Sequence, residues 1–158
     1  MSGVLSFVFR TVLGGLFLVS GVAKILDPIR FLFTLREFRL FPGVIEPLLA
    51  LFLPWLELVL GLLLVLGLFT RTSALLLACL NLLFLAAILS VILRGIEIDC
   101  GCFGLLADIL KLPDMADYKA VARNLIFIGM CAQICRSGEG PLSLDRLIAL
   151  ARDGGKIA

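Results

Sequence analysis

The sequence predicts an all-α integral membrane protein: a four-transmembrane-helix bundle followed by a C-terminal amphipathic helix at the membrane interface. Three observations predict it. Hydrophobic residues make up 61% of the 158 residues and charged residues 16%, against about half and a quarter in a soluble domain. The mean hydropathy is +1.16, more apolar surface than a chain of this size hides from water. Four stretches also approach the roughly 20 apolar residues that cross about 30 Å of hydrocarbon. The net charge of +2, without a basic run or an array of stacking aromatics, argues against a nucleic-acid partner.

The first span is expected over residues 4–26, with Arg10 near its start and Lys24 near its end. Its apolar run resembles a signal peptide, but no A-x-A-like cleavage site is present and Lys24 follows directly, so it reads as a retained span. The second is expected over 47–69, with Glu57 near its start. Pro54 within it either kinks the helix or marks its first turn. "TRTS" (70–73) reads as a short connection to a third span over 74–93, which makes the two antiparallel neighbours. A loop of about two dozen residues follows, with "LLADILKL" (105–112) at helical spacing. The fourth span is expected over 118–135, capped by Asp117. Residues 1–136 thus form the membrane domain. The 137–158 tail places Leu144, Leu147, Ile148 and Ala151 on one face of an interfacial helix.

Four spans put both termini on one side and the first and third loops on the other. The face-value Lys/Arg count favours a cytosolic third loop. It becomes nearly even once Lys24, Arg94 and Arg123, in or at the ends of spans, are set aside. Charge alone does not orient the chain.

The chain has no histidine, which excludes an imidazole base, histidine-ligated haem and histidine-containing zinc sets. Attention falls on the five cysteines. Cys79, among leucines in span three, reads as a small packed residue. Cys131 and Cys135 share one face of span four, and packing is the better reading for them. Cys100 and Cys102 differ: "IDCGCFG" (98–104) sets two thiols in a loop where packing gives no reason for them. Their Cα atoms approach ~7 Å when extended, the outer limit for a disulfide, and Gly101 permits the bend that closes the gap. So small a ring is strained, and strained, exposed disulfides are the exchangeable ones. Closing so short a loop removes little chain entropy, which argues against a structural staple. Redox exchange is the favoured reading, beside soft-metal thiolate binding and a pair without a role.

Charged residues inside spans are costly and are paired or functional. Lys24, Glu57 and Arg123 are all placed towards the membrane side that holds Cys100 and Cys102, and Glu57 is expected to pair with Lys24 or Arg123. A cation near the thiols lowers their pKa, and a carboxylate relays protons. Asn81 is expected to hydrogen-bond across helices.

Four segments in order, "SGVAKILDPIRF" (20–31), "LPWLELVLGLLLVLGLFTR" (53–71), "CGCFG" (100–104) and "ARNLIFI" (122–128), resemble the DoxX-like superfamily, most closely its MauE branch. The likeness covers roughly residues 5–135. It implies a four-helix bundle similar in plan to the DsbB and vitamin K epoxide reductase proteins. It also implies sulfur or disulfide redox chemistry at Cys100 and Cys102, supported by Lys24, Glu57, Arg123 and Gly101. The partner it implies is a periplasmic thioredoxin-like or sulfur-carrying protein. It places the chain in a bacterial inner membrane, termini cytoplasmic and cysteine loop periplasmic, with room in a larger complex. One departure stands out: DsbB-like enzymes use two cysteine pairs, and the first loop here has none. A membrane quinone or a partner's cysteines would take the other half-reaction. The rivals are a soft-metal or sulfur-species binding or transport protein, and a non-catalytic anchor or assembly subunit.

Overall fold

The computed structural model describes residues 2–40, 42–96, 98 and 117–137. Cys100, Gly101 and Cys102, the 105–112 segment and the 137–158 tail helix lie outside the described residues, apart from Ser137. Five helices are described: α1 (Ser2–Leu26), α2 (Pro28–Phe38), α3 (Glu46–Leu66), α4 (Thr70–Leu93) and α5 (Tyr118–Ser137). No strand occurs among the described residues.

Three helices, over Val4–Leu26, Glu46–Leu66 and Thr70–Leu93, are long and apolar enough to cross a membrane. Their outer faces carry exposed Leu51, Phe52, Trp55, Leu62, Leu75 and Leu83. So wide an apolar surface is stable against hydrocarbon and a liability in water. α5 has 20 residues, ~30 Å of helix, but Lys119, Arg123, Asn124 and Gln133 dilute its apolar character. It is nonetheless a full member of the bundle. α1 packs on α3 and α5, and α4 packs on α5 and α3, closing a ring of four. The core of that ring draws two buried residues from each helix: Leu13 and Phe17, Leu60 and Leu64, Ala74 and Leu77, Cys131 and Ile134.

The α1–α3 contact is the closest in the ring because glycines remove side chains from it. A Cβ on Gly14 would lie 2.8 Å from the Gly61 carbonyl oxygen, one on Gly21 2.9 Å from that of Pro54, and one on Gly61 2.9 Å from that of Gly14. In lipid, where burial of apolar surface drives no association, such backbone approach supplies the packing energy.

The structure relocates three features expected from sequence. α3 runs unbroken from Glu46 with Pro54 in its interior, so Pro54 does not mark a first turn. The α3–α4 turn is not 70–73 but Gly67–Phe69, where Gly67 (φ 71°) and Phe69 (φ 48°) are left-handed, and "TRTS" opens α4. Glycine takes that conformation without strain, so the helix stops there. The first loop is also not all loop, because it holds α2. Asp27 accepts a hydrogen bond from the Arg30 N–H at 3.1 Å, Pro28 fills the first turn, and Phe31, Leu35 and Phe38 are buried. Arg39, left-handed at φ 50°, ends it.

Gly61→Val should lower the midpoint of thermal unfolding in detergent or nanodiscs, because its added carbons meet backbone and cost about 1–3 kcal/mol. Gly15→Ala, where a Cβ meets nothing within 4 Å, should leave the midpoint unchanged or raise it slightly. Equal melts for the two variants would contradict the glycine-mediated contact.

Candidate functional site

Where Gly21 lets α1 approach α3, the next turn of α1 brings Lys24 to Glu57. The Lys24 Nζ donates to Glu57 Oε1 and Oε2, both at 2.7 Å, and to Ser20 Oγ at 3.0 Å. Ser20 in turn donates to Glu57 Oε2 at 3.1 Å. Ser20 and Lys24 are four apart, on one face of α1. Lys24 is 3% exposed and Glu57 1%, so the pair is sealed inside the bundle. The three ammonium protons have partners, and the carboxylate accepts from two side chains. The Phe31 and Phe84 rings flank the ammonium, their centroids 5.2 and 5.3 Å from Nζ, adding cation–π attraction to a buried charge.

A small cavity of about 30 Å³ opens beside the pair, lined among others by Lys24, Glu57, Asn81, Phe84, Arg123 and Asn124. The structure thus brings Lys24, Glu57 and Arg123 to one cavity. Depth is the correction: Glu57 is not near the start of its span but in mid-helix, eleven residues beyond Glu46, about 16 Å along the axis. The first half of α3 consequently overhangs the end of α1. α2 packs on that overhang through Phe31, Leu35 and Ala50, and Arg36 Nε donates to Glu46 Oε2 at 3.2 Å.

Asn81 and Asn124, both 3% exposed, bond within their own helices. Each amide nitrogen donates to the carbonyl one turn earlier, Leu77 at 2.8 Å and Ala120 at 2.9 Å. The Asn81 amide N–H bond thus stays within α4. Ser20 and Asn124 were given no role by sequence reasoning. The four-residue spacing of Ser20 and Lys24 is the signal that could have found the first; nothing local marks the second.

Ile98 and Asp117 are the described residues on either side of the cysteine segment. Arg94 ends α4 with Gly95 left-handed after it (φ 65°), and its guanidinium donates to the Ser90 and Phe38 carbonyls. Ile98, two residues before Cys100, is buried with Phe38, Ile88, Val91 and Ala120. The far end of the loop enters α5 at Asp117, whose carboxylate accepts from the Lys119 and Ala120 N–H groups at 2.9 and 3.1 Å, the cap its sequence suggests.

The other thiols sit elsewhere. Cys131 is in the core, with Cys135 packed against that cluster and its Sγ 3.7 Å from the Arg71 carbonyl oxygen. Cys79 is not buried as expected but exposed on the outer face of α4, because the face that packs inward carries Leu77, Leu80 and Asn81.

Comparison with known proteins agrees with the motifs. Residues 2–136 match the family model described as methylamine utilisation protein MauE. Over 126 residues the chain is 32% identical to the methylamine utilization protein MauE of Paracoccus denitrificans, covering 79% of this chain and 65% of that protein. The matched region therefore spans slightly less than two thirds of the relative's length. No solved structure matches the chain. The chain belongs to the MauE family.

Removing one partner of a buried pair strands the other charge, at about 3–5 kcal/mol. Glu57→Ala should therefore sharply reduce folded yield and the thermal midpoint. The double variant Lys24→Met, Glu57→Leu should recover most of that loss, since replacing the whole pair with apolar groups is close to neutral. Circular-dichroism melts in detergent would check both.

Proposed function

We propose that this chain is a membrane thiol–disulfide redox protein that uses Cys100 and Cys102. The observation that carries the reading is where their loop is rooted. Ile98 and Ala120 close the loop base against the end of α2, and Arg123, one turn beyond Ala120, lines the cavity of the buried pair. A bacterial inner-membrane location with four spans, α5 the fourth, and with this loop periplasmic, accords with the family. So does a place in methylamine utilisation, which the relative's name carries.

In the forward direction a Cys100 or Cys102 thiolate attacks a disulfide of a thioredoxin-like or sulfur-carrying partner. A mixed disulfide forms and one partner sulfur leaves as a thiolate. The second loop thiolate then attacks the loop sulfur of that mixed disulfide and releases the partner. Two electrons and two protons end on the partner dithiol, and the Cys100–Cys102 ring is oxidised; the reverse sequence reduces it. Gly101 permits the ring. Arg123 is the cation best placed along the chain to favour a thiolate. Lys24 and Glu57, saturated by each other and Ser20, anchor the helices beneath. A quinone, if it serves as the lipid-side electron carrier, would have to be held by the α3–α4 surfaces near Phe84, where apolar walls meet polar groups.

Differential alkylation at defined potentials should show Cys100 and Cys102 changing together as a two-electron couple while Cys131 does not. Loop thiols that stay free under oxidising conditions would sink the reading. Cys102→Ser and Cys100→Ser, made singly, should trap a covalent partner that dithiothreitol releases. If the double serine variant retains full activity in the assembled system, the chain is an anchor subunit. If instead wild-type protein binds Cu(I) stoichiometrically and shows no couple, the soft-metal reading stands.

A further inference from the structure

A larger cavity, of about 450 Å³, lies between α2, α3 and α4. Its walls are carbon: Leu35 and Phe38 from α2, Leu49 and Leu53 from α3, Leu83 and Ala87 from α4 among them. It has the size of an ordinary ligand site and suits a hydrocarbon. The helices set its depth. Leu49 lies three residues after Glu46, the first residue of α3, and Leu80 lies fourteen before Arg94, which caps α4. At ~1.5 Å per residue the cavity runs from about 5 to about 20 Å below these loop-side helix ends. One leaflet's hydrocarbon is about 15 Å deep, half of the ~30 Å core. The space therefore matches one acyl chain of the loop-side leaflet.

Two arginines stand at the shallow end. Arg39 lies between Phe38 and Leu40, both of which line the cavity. The Arg94 guanidinium donates to the Phe38 carbonyl, which holds a second cation at the peptide bond that joins Phe38 to Arg39. Both arginines are exposed. The Arg39 side chain makes no hydrogen bond or ion pair among the described residues, whereas Arg36 is taken by Glu46. Arg94 donates only to backbone carbonyls, those of Ser90 and Phe38, and no carboxylate among the described residues offsets its charge. Where α2 ends, α3 begins and α4 ends, Arg36, Arg39 and Arg94 thus outnumber Glu37 and Glu46. This end suits an anion, and phosphate is one that guanidinium groups bind through paired N–H donors.

We propose that this cavity is a site for one anionic phospholipid of the loop-side leaflet, with an acyl chain between α2, α3 and α4 and the phosphate on Arg39 and Arg94. Such a lipid carries its phosphate just above the hydrocarbon, the level of the helix ends that bear the two guanidinium groups. A zwitterionic lipid offers the same phosphate but adds an ammonium that the arginines repel, so net negative charge decides the preference. The selecting groups lie at the rim, and the polar residues behind Phe84 take no part. This inference does not rest on the redox reading of Cys100 and Cys102.

The test uses the full-length protein in nanodiscs of phosphatidylglycerol and phosphatidylcholine, in equal amounts and with the same acyl chains. Native mass spectrometry after release from the disc reads which lipid stays bound. One phosphatidylglycerol per chain, retained at least ~10-fold over phosphatidylcholine as two arginine–headgroup attractions predict, supports the site. Arg39→Gln, an exposed change, should cut that preference several-fold, and Arg39→Lys should keep most of it. Arg39→Gln with Arg94→Gln should bring the two lipids level. Ala87→Phe should release the bound lipid; where it does not fold, Ala86→Phe takes its place. Oleate, added in equal amount, should not displace the phospholipid. Equal retention of the two lipids by the unaltered chain, no retained lipid or displacement by oleate overturns the proposal. So does a preference that survives loss of both arginines, or undiminished retention in the folded cavity-filling variant.

Discussion

The buried Lys24–Glu57 pair is the constraint on which the rest of the structure depends. An unpaired charge at this depth is so costly that any arrangement of α1 and α3 that separates the two is excluded. Apolar packing in lipid cannot make that choice, because one leucine-lined face resembles another. The pair therefore sets the register of two helices whose surfaces would otherwise tolerate sliding. Ser20 and the Phe31 and Phe84 rings complete the setting from three further positions. Gly14, Gly21 and Gly61 are its steric counterpart: they let the backbones approach, and the approach brings the ammonium within 2.7 Å of both carboxylate oxygens.

That register has consequences towards the loop side. α1 ends two residues after Lys24, whereas α3 meets it at mid-helix, so half of α3 is left projecting. The projection is the surface on which α2 folds. α2 carries Phe38 to the end of α4, where Arg94 holds its carbonyl and Ile98 is buried in the same cluster. The position of Ile98 is thus connected to an ion pair several turns away through packed elements.

Much of this was legible in the sequence because membrane burial is a strong signal and charge within it stronger still. The three apolar spans, the Asp117 cap and the attraction between Lys24 and Glu57 all follow from side-chain chemistry at known spacing. What escaped reading is where local and tertiary terms compete. α2 shows Asp27-Pro28 at its start and Phe31, Leu35 and Phe38 at helical spacing, yet its mean apolarity is low, and only the overhang of α3 gives its face a partner. The Gly67–Phe69 turn was masked by the apolar character of Leu68 and Phe69, which extended the span past the glycine that ends it. Glu57 was placed too shallow for the same reason: the first half of α3 is as apolar as the second, and hydropathy does not show which half has a neighbour. Asn81 and Asn124 meet only in space.

The chemistry of the pair also bears on what it does beneath the loop. Without histidine, a proton acceptor in this chain has to be a carboxylate or a thiolate, and Glu57 is the carboxylate nearest the cavity. Its oxygens, however, already accept from Lys24 and Ser20, and protonating it would leave the ammonium facing two aromatic rings and a hydroxyl in hydrocarbon. The same cation that lets Glu57 sit in the membrane occupies both of its oxygens. On the proposed reading a thiol at Cys100 or Cys102 gives its proton to water or to the partner at the loop to become the thiolate, and the interior of the bundle contributes rigidity. On that reading proton exchange belongs to the aqueous surface, and the saturated Lys24–Glu57 pair keeps the bundle interior out of it.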